Sequence, residues 1–511
     1  MTARKGQQRT ENCGPRRVIF IMTDTQRTDM VGCYGHPDMK TPGIDGIASR
    51  GLLFERAYTC QPVCGPARSA IFTGQYPHSN GAWGNSMPLG ANVRTIGQRL
   101  HDQGILAGYI GKYHLDGGDY FGLGEASPGW DPGTWYDMRN FLEEMPDDAA
   151  RLASRKQETM LDPGVRAEDT YAWKATERAI RFLREHEARD YLLVLSYDEP
   201  HGPSLCPEPY ASMYADYDFP KSPNVWDDLA DKPTHQRVWA GDALSEDKDR
   251  LVIRDRWLLG CNSFVDSQIA RFTEAIEEYA SDALVIYTTD HGDFMHSHSL
   301  WSKGPAMYDE IARVPLIISD PRDRSPRRTD QPVSHIDLMP TMLEFFGLPL
   351  PEPLEGRSLA PAIADPDVRI NDIIFTEFGR YEIDHDGFGG FRPMRGAYDG
   401  RYKLVLHLLS GDELYDMETD PHEITNRIND PALAAERDRL HDAILDWMNR
   451  TRDPFRGYDW ERRPWRSDAR EASWDYTGFT RQREDSAYEK RQLDYSTGLE
   501  MVEAHRPKDP A

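Results

Sequence analysis

The side chains able to do chemistry fall just after short apolar runs. Asp24 follows the run at 17–22, and Lys112 and His114 follow the run at 106–110. His201 follows 191–196, and Asp290 and His291 follow 283–288. Compact apolar runs read as strands of a buried parallel sheet, and the carboxyl ends of such strands line the ligand crevice. One polar residue in a strand–helix loop is ordinary, but coincidence in four distant loops points to one shared site. Asp24, Asp290 and His291 form a metal constellation, because carboxylates suit hard cations and imidazole suits borderline ones. Taken singly, Asp24 reads as a helix N-cap and Asp290-His291-Gly292-Asp293 as a turn.

The segment Cys64-Gly65-Pro66-Ala67-Arg68 is the most specific. Pro66 suits the first position of a helix running to Phe72, and Gly74 suits its end. Cys64 then precedes a helix N-terminus, where the dipole and free N–H groups favour negative charge and depress a thiol pKa. On these residues alone an inert buried cysteine and a direct cysteine nucleophile both stay open.

Positioning these groups requires alternating elements. The strands are expected at 17–22, 106–110, 191–196, 283–288 and 314–318, with helices at 95–103, 167–187 and 262–279. That order predicts an α/β fold with a mostly parallel sheet sandwiched by helices. Residues 202–250, rich in Pro, Asp and Tyr, read as an insertion over one sheet edge. A Pro-rich stretch at 349–366 marks a boundary. Beyond it, 373–377, 394–398 and 402–408 read as short antiparallel strands, and 432–449 as a helix. The expected layout is a catalytic domain at 15–370, a smaller C-terminal α+β subdomain at 371–450 and an extension at 451–511.

The chain has 511 residues, too many for one small core. An apolar fraction of 39% excludes a wholly disordered chain. The formal charge of −25 argues against nucleic acid and anionic membrane partners, though a local basic pocket stays open. No apolar run approaches the length of about 18 residues that a membrane span needs. The N-terminus also lacks an apolar signal core, so a cytoplasmic location is expected. Six cysteines make no disulfide scaffold and fit a reducing compartment.

Cys64-x-Pro66-x-Arg68, followed by Thr73-Gly74-Gln75-Tyr76-Pro77-His78, resembles the motif of the formylglycine-dependent sulfatases of the alkaline phosphatase superfamily. Met22-Thr23-Asp24, Gly111-Lys112-Tyr113-His114, Pro200-His201-Gly202-Pro203 and Thr289-Asp290-His291-Gly292 match in order. So do Lys303, residues 335–341 and Leu414-Tyr415-Asp416 with Asp420-Pro421. The resemblance covers roughly 17–450 and is closest to bacterial sulfatase-like proteins. It implies an alkaline-phosphatase-like fold and hydrolysis of a sulfate ester. Cys64 would be oxidised to formylglycine by a formylglycine-generating enzyme and hydrated to a gem-diol. One hydroxyl would attack sulfur, and collapse of the hemiacetal would then expel sulfate. Asp24, Asp290, His291 and the modified residue 64 would hold a divalent metal, Ca2+ in most sulfatases. Arg68, Lys112 and Lys303 would surround the sulfate with positive charge. His201, assisted by Lys303, would protonate the leaving oxygen, and His114 would serve as base.

Two positions depart from the pattern. Asp24-Thr25 stands where many sulfatases carry two aspartates, and Asp290-His291 where many carry Asp-Asn. With two carboxylates rather than three, Mn2+ competes with Ca2+, and Thr25, Gln26 or water would complete the shell. A phosphonate monoester or phosphodiester hydrolase of the same superfamily is the rival reading. Lys112-Tyr113-His114 favours the sulfatase. A non-catalytic anion-binding protein with unmodified Cys64 is the third.

The polar and aromatic loop at 380–392, with Arg380 and His385, suits hydroxyl recognition on a sugar, as do Tyr210, Trp226, His235 and Trp239 in the insertion. Asn85, near the Cys64 helix, is expected as a further substrate contact. The expected partner is a sulfated small molecule or oligosaccharide. Trp460, Trp465, Trp474 and Tyr476 in the Arg-rich tail are interface residue types, so a homo-oligomer is expected.

Overall fold

The computed structural model describes residues 16–118, 120–382 and 390–466. The chain divides into two compact units, Met1–Arg427 and Ile428–Ala511.

The first unit is built on a sheet of eight strands. They are β1 (Arg17–Thr23), β2 (Leu52–Tyr58), β3 (Leu106–Gly111), β4 (Tyr191–Ser196), β5 (Leu284–Thr289), β6 (Arg313–Ser319), β7 (Arg327–Thr329) and β8 (Val333–Ser334). Their order is β3-β4-β1-β5-β6-β2-β7, with β8 also on β2. β3, β4, β1 and β5 run parallel, while β6 is antiparallel to both β5 and β2.

Side chains alternate across β1. Val18, Phe20 and Met22 enter one core with Ile71 and Phe72 of the helix Cys64–Thr73 and Met339 and Met342 of the helix Leu338–Phe345. Ile19 and Ile21 enter the other with Phe182 of the helix Tyr171–Glu185 and Phe264 and Phe272 of the helix Arg256–Tyr279. Burial on both faces is why the central strands read as unbroken apolar runs. Each large apolar side chain so buried contributes about 1.5–3 kcal/mol.

Register then positions the site. Met22 and Gly111 both face Ser196 of β4, and Thr23 faces Thr289 of β5. Asp24, Lys112 and Asp290 therefore leave the sheet at one level. Gly111 has φ +120°, and a Cβ there would lie 1.8 Å from the Ser196 carbonyl oxygen, so glycine is required where the chain turns into Lys112.

The expected helices form with shifted ends. The first is Ile96–His101, started by a capping box between Thr95 and Gln98. The second begins at Tyr171 behind its N-cap Thr170, after a single 3-10 turn at Ala167–Asp169. The third starts earlier than expected, at Arg256, with Asp255 as N-cap. β2 is an element that the apolar pattern did not reveal. Glu55 and Arg56 interrupt it, and its register shifts between Phe54 and Ala57.

A second, antiparallel sheet lies within the first unit. It comprises β9 (Ile374–Arg380), β10 (Phe391–Tyr398), β11 (Tyr402–His407) and β12 (Glu413–Asp416), in the order β12-β11-β10-β9. The second unit holds the helix Ala434–Arg450, whose Leu440, Ile444 and Trp447 are buried. Trp460 is fully buried and its carbonyl accepts from His441 Nε2. Trp465 meets the His441 ring edge-on at 5.1 Å and carries the Arg437 guanidinium at 4.5 Å. These two tryptophans, expected at an interface, thus contact their own helix. Trp474 and Tyr476 lie outside the described residues. No described helix is long and apolar enough to cross a membrane.

Candidate active site

The helix Cys64–Thr73 begins at Cys64 itself, two residues earlier than Pro66 suggested, and ends at Gly74 with φ +64°. Its second residue, Gly65, donates its N–H to Asn85 Oδ1 at 2.9 Å. Asn85 thereby satisfies one of the helix's free N–H groups. Cys64 is fully buried in a ring of charge. Its Sγ is 3.2 Å from His291 Nε2, 3.2 Å from Lys303 Nζ, 3.8 Å from Asp24 Oδ1 and 3.9 Å from Lys112 Nζ. Burial and Asp24 push the thiol pKa up, but Lys112, Lys303 and His291 outweigh them and hold it well below the usual range.

One ligand atom each from Asp24, Cys64, Asp290 and His291 lies within 4.8 Å of all the others. His291 Nδ1 donates to the Gly292 carbonyl at 2.8 Å, so Nε2 is the ring nitrogen that faces the cluster. That Nε2 is 3.8 Å from Asp24 Oδ1 and 3.7 Å from Asp290 Oδ1. Oxygen ligands about 2.4 Å from one ion and roughly at right angles lie about 3.4 Å apart, so this spacing fits a shared shell. Two carboxylates and one imidazole suit a hard or borderline divalent cation. Thr25 Oγ1 donates to Asp24 Oδ1 at 2.8 Å, and Gln26 is buried in the same loop, held by Asn262.

Arg68, 0% exposed, orders the carboxylates. Nε donates to Asp290 Oδ2 at 3.1 Å and Nη2 to Asp24 Oδ2 at 3.0 Å. Nη1 donates to the Lys112 carbonyl and to Ser196 Oγ. The fork is directed at protein groups and leaves the Oδ1 atoms toward His291. Burial would raise the Asp24 pKa, yet Lys112, His201, Lys303 and Arg68 hold it well below the carboxylate range. Asp290 is pushed up to about 6 by burial and the Asp24 charge, against His291 and Arg68. A bound cation would favour ionisation of both.

Lys112 Nζ lies 2.8 Å from Asp24 Oδ2, 3.3 Å from Asp198 Oδ1 and 4.0 Å above the Tyr120 ring. Tyr120 donates to Asp198 and lies 3.0 Å from His201 Nδ1, which also faces the Gly202 carbonyl. His201 Nε2 is thereby left for other partners. His114 is buried, and its Nδ1 has no hydrogen-bond partner among the described residues. Thr25, His114 and Ser302 take left-handed φ of 61°, 59° and 59° beside Asp24, Lys112 and Lys303. Such conformations cost about 1–3 kcal/mol each and persist where the surrounding packing enforces them.

Tyr120 and Asp198 were not singled out by sequence. Each belongs to the site only through partners distant in the chain. Pro200-His201 with Asp198 just upstream was the signal available for one of them. Arg380, at the end of β9, stacks 4.9 Å from Trp83 and 5.9 Å from Phe391. His385 lies outside the described residues. Of the insertion residues, His235 and Trp239 line a cavity shared with Lys303. Tyr210 instead packs on Phe264, and Trp226 donates to Asp249 at the surface.

The chain matches the family model described as Sulfatase over residues 16–348. It is also 44% identical over 487 residues to the uncharacterized sulfatase YidJ of Escherichia coli (strain K12), covering 94% of this chain and 96% of that protein. The chain belongs to the sulfatase family. Its fold is that of the alkaline phosphatase superfamily, and the protein is a sulfuric ester hydrolase. A second model, described as N-sulphoglucosamine sulphohydrolase, C-terminal, matches residues 297–450 of this sulfatase. Two solved structures share the fold at a TM-score of 0.70. One, in complex with its substrate D-glucosamine-2-N,6-O-disulfate, is 20% identical and covers 87% of this chain and 99% of that one. The other, the phosphonate monoester hydrolase of Agrobacterium radiobacter, is 24% identical and covers 86% and 96%.

Proposed function

We propose that this sulfatase cleaves a sulfate ester of a carbohydrate, with residue 64 as nucleophile after its conversion to formylglycine. The observation that carries the reading is the convergence of Lys303, Lys112, His291 and Asp24 within 4 Å of Cys64 Sγ. Asp24, Asp290, His291 and residue 64 would hold a divalent cation, Ca2+ or Mn2+. When bound, the cation polarises the sulfate and the formylglycine diol supplies the attacking oxygen.

The chain's own groups do the rest. Arg68 fixes the two carboxylates in place. Lys303 and Lys112 bring preorganised positive charge to the sulfate oxygens, where charge develops. His201 is the proton donor to the leaving oxygen, oriented by Tyr120 and its own loop carbonyl. His114, whose buried Nδ1 has no hydrogen-bond partner among the described residues, is the base that removes the proton needed for sulfate release. A sugar substrate is supported by the N-sulphoglucosamine sulphohydrolase match and by the disulfated glucosamine bound in the similar structure. The five described cysteines are free, which supports a reducing compartment, and we place the enzyme in the cytoplasm.

The rival is phosphonate monoester or phosphodiester hydrolysis, which needs similar positive charge. The test is a mass spectrum of the peptide holding residue 64 from the native host, followed by turnover of an aryl sulfate beside a phosphonate monoester. A mass loss matching thiol to aldehyde, with sulfate preferred, is expected. An intact cysteine removes the mechanism. A preference for the phosphonate by orders of magnitude overturns the choice of reaction.

A further inference from the structure

A cavity of about 820 Å³ opens beside Lys303. His235, Trp239, Trp301, Tyr381 and Arg392 line it with that lysine. No carboxylate is among its described lining residues, although the whole chain carries a formal charge of −25. Lys303 and Arg392 are the charged groups among its described lining residues.

Arg392, at the start of β10, is the unexplained group. Its Nε is buried with no hydrogen-bond partner among the described residues. No ion pair reaches its guanidinium among them either, whereas Arg68, Arg401 and Arg466 all meet carboxylates. A half-buried guanidinium with an idle donor is costly unless an anion completes it. His235 is the second group. Its Nε2 donates to the Pro305 carbonyl at 2.8 Å, so Nδ1 is an acceptor, and that atom too is buried without a partner among the described residues. Burial, then His407 and Arg392, lowers its pKa to about 4, so it is neutral at working pH.

The apolar part is equally defined. A Cβ on Gly304 would fall 2.8 Å from the Trp239 ring, so this indole lies directly on the chain next to Lys303. Trp301 is 47% exposed at the same cavity. Indole faces beside polar donors and acceptors suit a saccharide ring, whose C–H face stacks while its hydroxyls hydrogen-bond.

We propose that this cavity receives the alcohol part of the sulfate ester as a sugar ring bearing a second anionic group, which Arg392 binds. The inference rests on the sulfate-ester reading above. A hydroxyl of the ring donates to His235 Nδ1, and the ring face lies on Trp239 or Trp301. The second anion is a carboxylate or a further sulfate, since a guanidinium fork accepts either in two-point contact.

The test uses full-length, metal-loaded protein with unmodified Cys64, so binding is read without turnover. Calorimetry compares hexose monosulfates with the same sugars carrying either a second sulfate or a C6 carboxylate. The doubly anionic members should bind about 10- to 100-fold more tightly, the range of a charge-assisted pair. Arg392→Met should abolish that preference, while Arg392→Lys should retain part of it. The sulfate and carboxylate arms identify which anion is taken. Equal binding of singly and doubly anionic sugars overturns the proposal, as does an equal loss for both in Arg392→Met. Turnover of a small aryl sulfate by the modified wild-type enzyme is measured separately. Its failure would sink the sulfatase chemistry, whereas normal turnover without an anion preference sinks only this inference.

Discussion

Arg68 carries the site's charge balance. It is the cation bound directly to both Asp24 and Asp290, and all three are wholly buried. Replacing it by Met leaves two buried carboxylates facing each other, and breaking such a pair costs about 3–5 kcal/mol. Urea unfolding of metal-free Arg68→Met should show a loss of that size. Added divalent ion should recover part of it, because the ion neutralises the same carboxylates. Arg68→Lys should lose nearly as much, since a point charge cannot hold two oxygens and two further acceptors at once. A midpoint unchanged in Arg68→Met would contradict this account of the residue. Cys64, Arg68, Asp24, Asp290 and His291 were readable as candidates because their types are rare in such positions. Tyr120 and Asp198 were not, because an acid or a phenol in a loop has no chemical meaning until its partner is known.

At the scale of elements, the small sheet is tied to the rest of the first unit through a buried carboxylate. Glu413 of β12 accepts from His407 Nε2 of β11 at 2.7 Å, from Tyr415 Oη at 2.7 Å and from Tyr308 Oη at 2.9 Å. Burial pushes its pKa up, but the His407 hydrogen bond and charge outweigh burial and hold it at about 2, against an ordinary 4.5. A carboxylate depressed in the folded state contributes stability above the unfolded pKa and loses it as pH falls through the folded one. That contribution is therefore complete above about 4.5 and gone near 2. Glu413→Gln should be less stable than wild type at pH 7, by about 3–5 kcal/mol. The difference should shrink below pH 4.5, as followed by unfolding across that range. A difference that does not vary with pH would refute the ionic role. The central strands were legible because burial on both faces enforces apolar runs. β2 was not, because its edge-side position tolerates Glu55 and Arg56 in mid-strand. The reversal at β6 was equally hidden, since strand direction leaves no mark on composition.

At the scale of the molecule, binding at one cluster should be felt as global stability. A ligand that binds only the folded state adds about 2.7 kcal/mol at a hundredfold excess over its Kd. Thermal unfolding of chelator-treated protein should rise in Tm on adding Ca2+ or Mn2+, and the ion giving the larger rise at equal concentration is the better fit. Asp290→Asn should remove most of that rise. No shift with either ion would mean that the buried carboxylates serve Arg68 and Lys112 alone.

The sequence by itself determined the family, the parallel core and the candidate ligands and cations, because strand burial and motif spacing are local properties. Only the tertiary structure decided what those groups do to one another. Strand register brought Asp24, Lys112 and Asp290 to one level, and the fork of Arg68 closed on the carboxylates. Folding also brought His235, Trp239 and Arg392, more than 150 residues apart at the extremes, to the cavity beside Lys303. Contacts of that kind depend on distances through space, which the order of residues along a chain does not record.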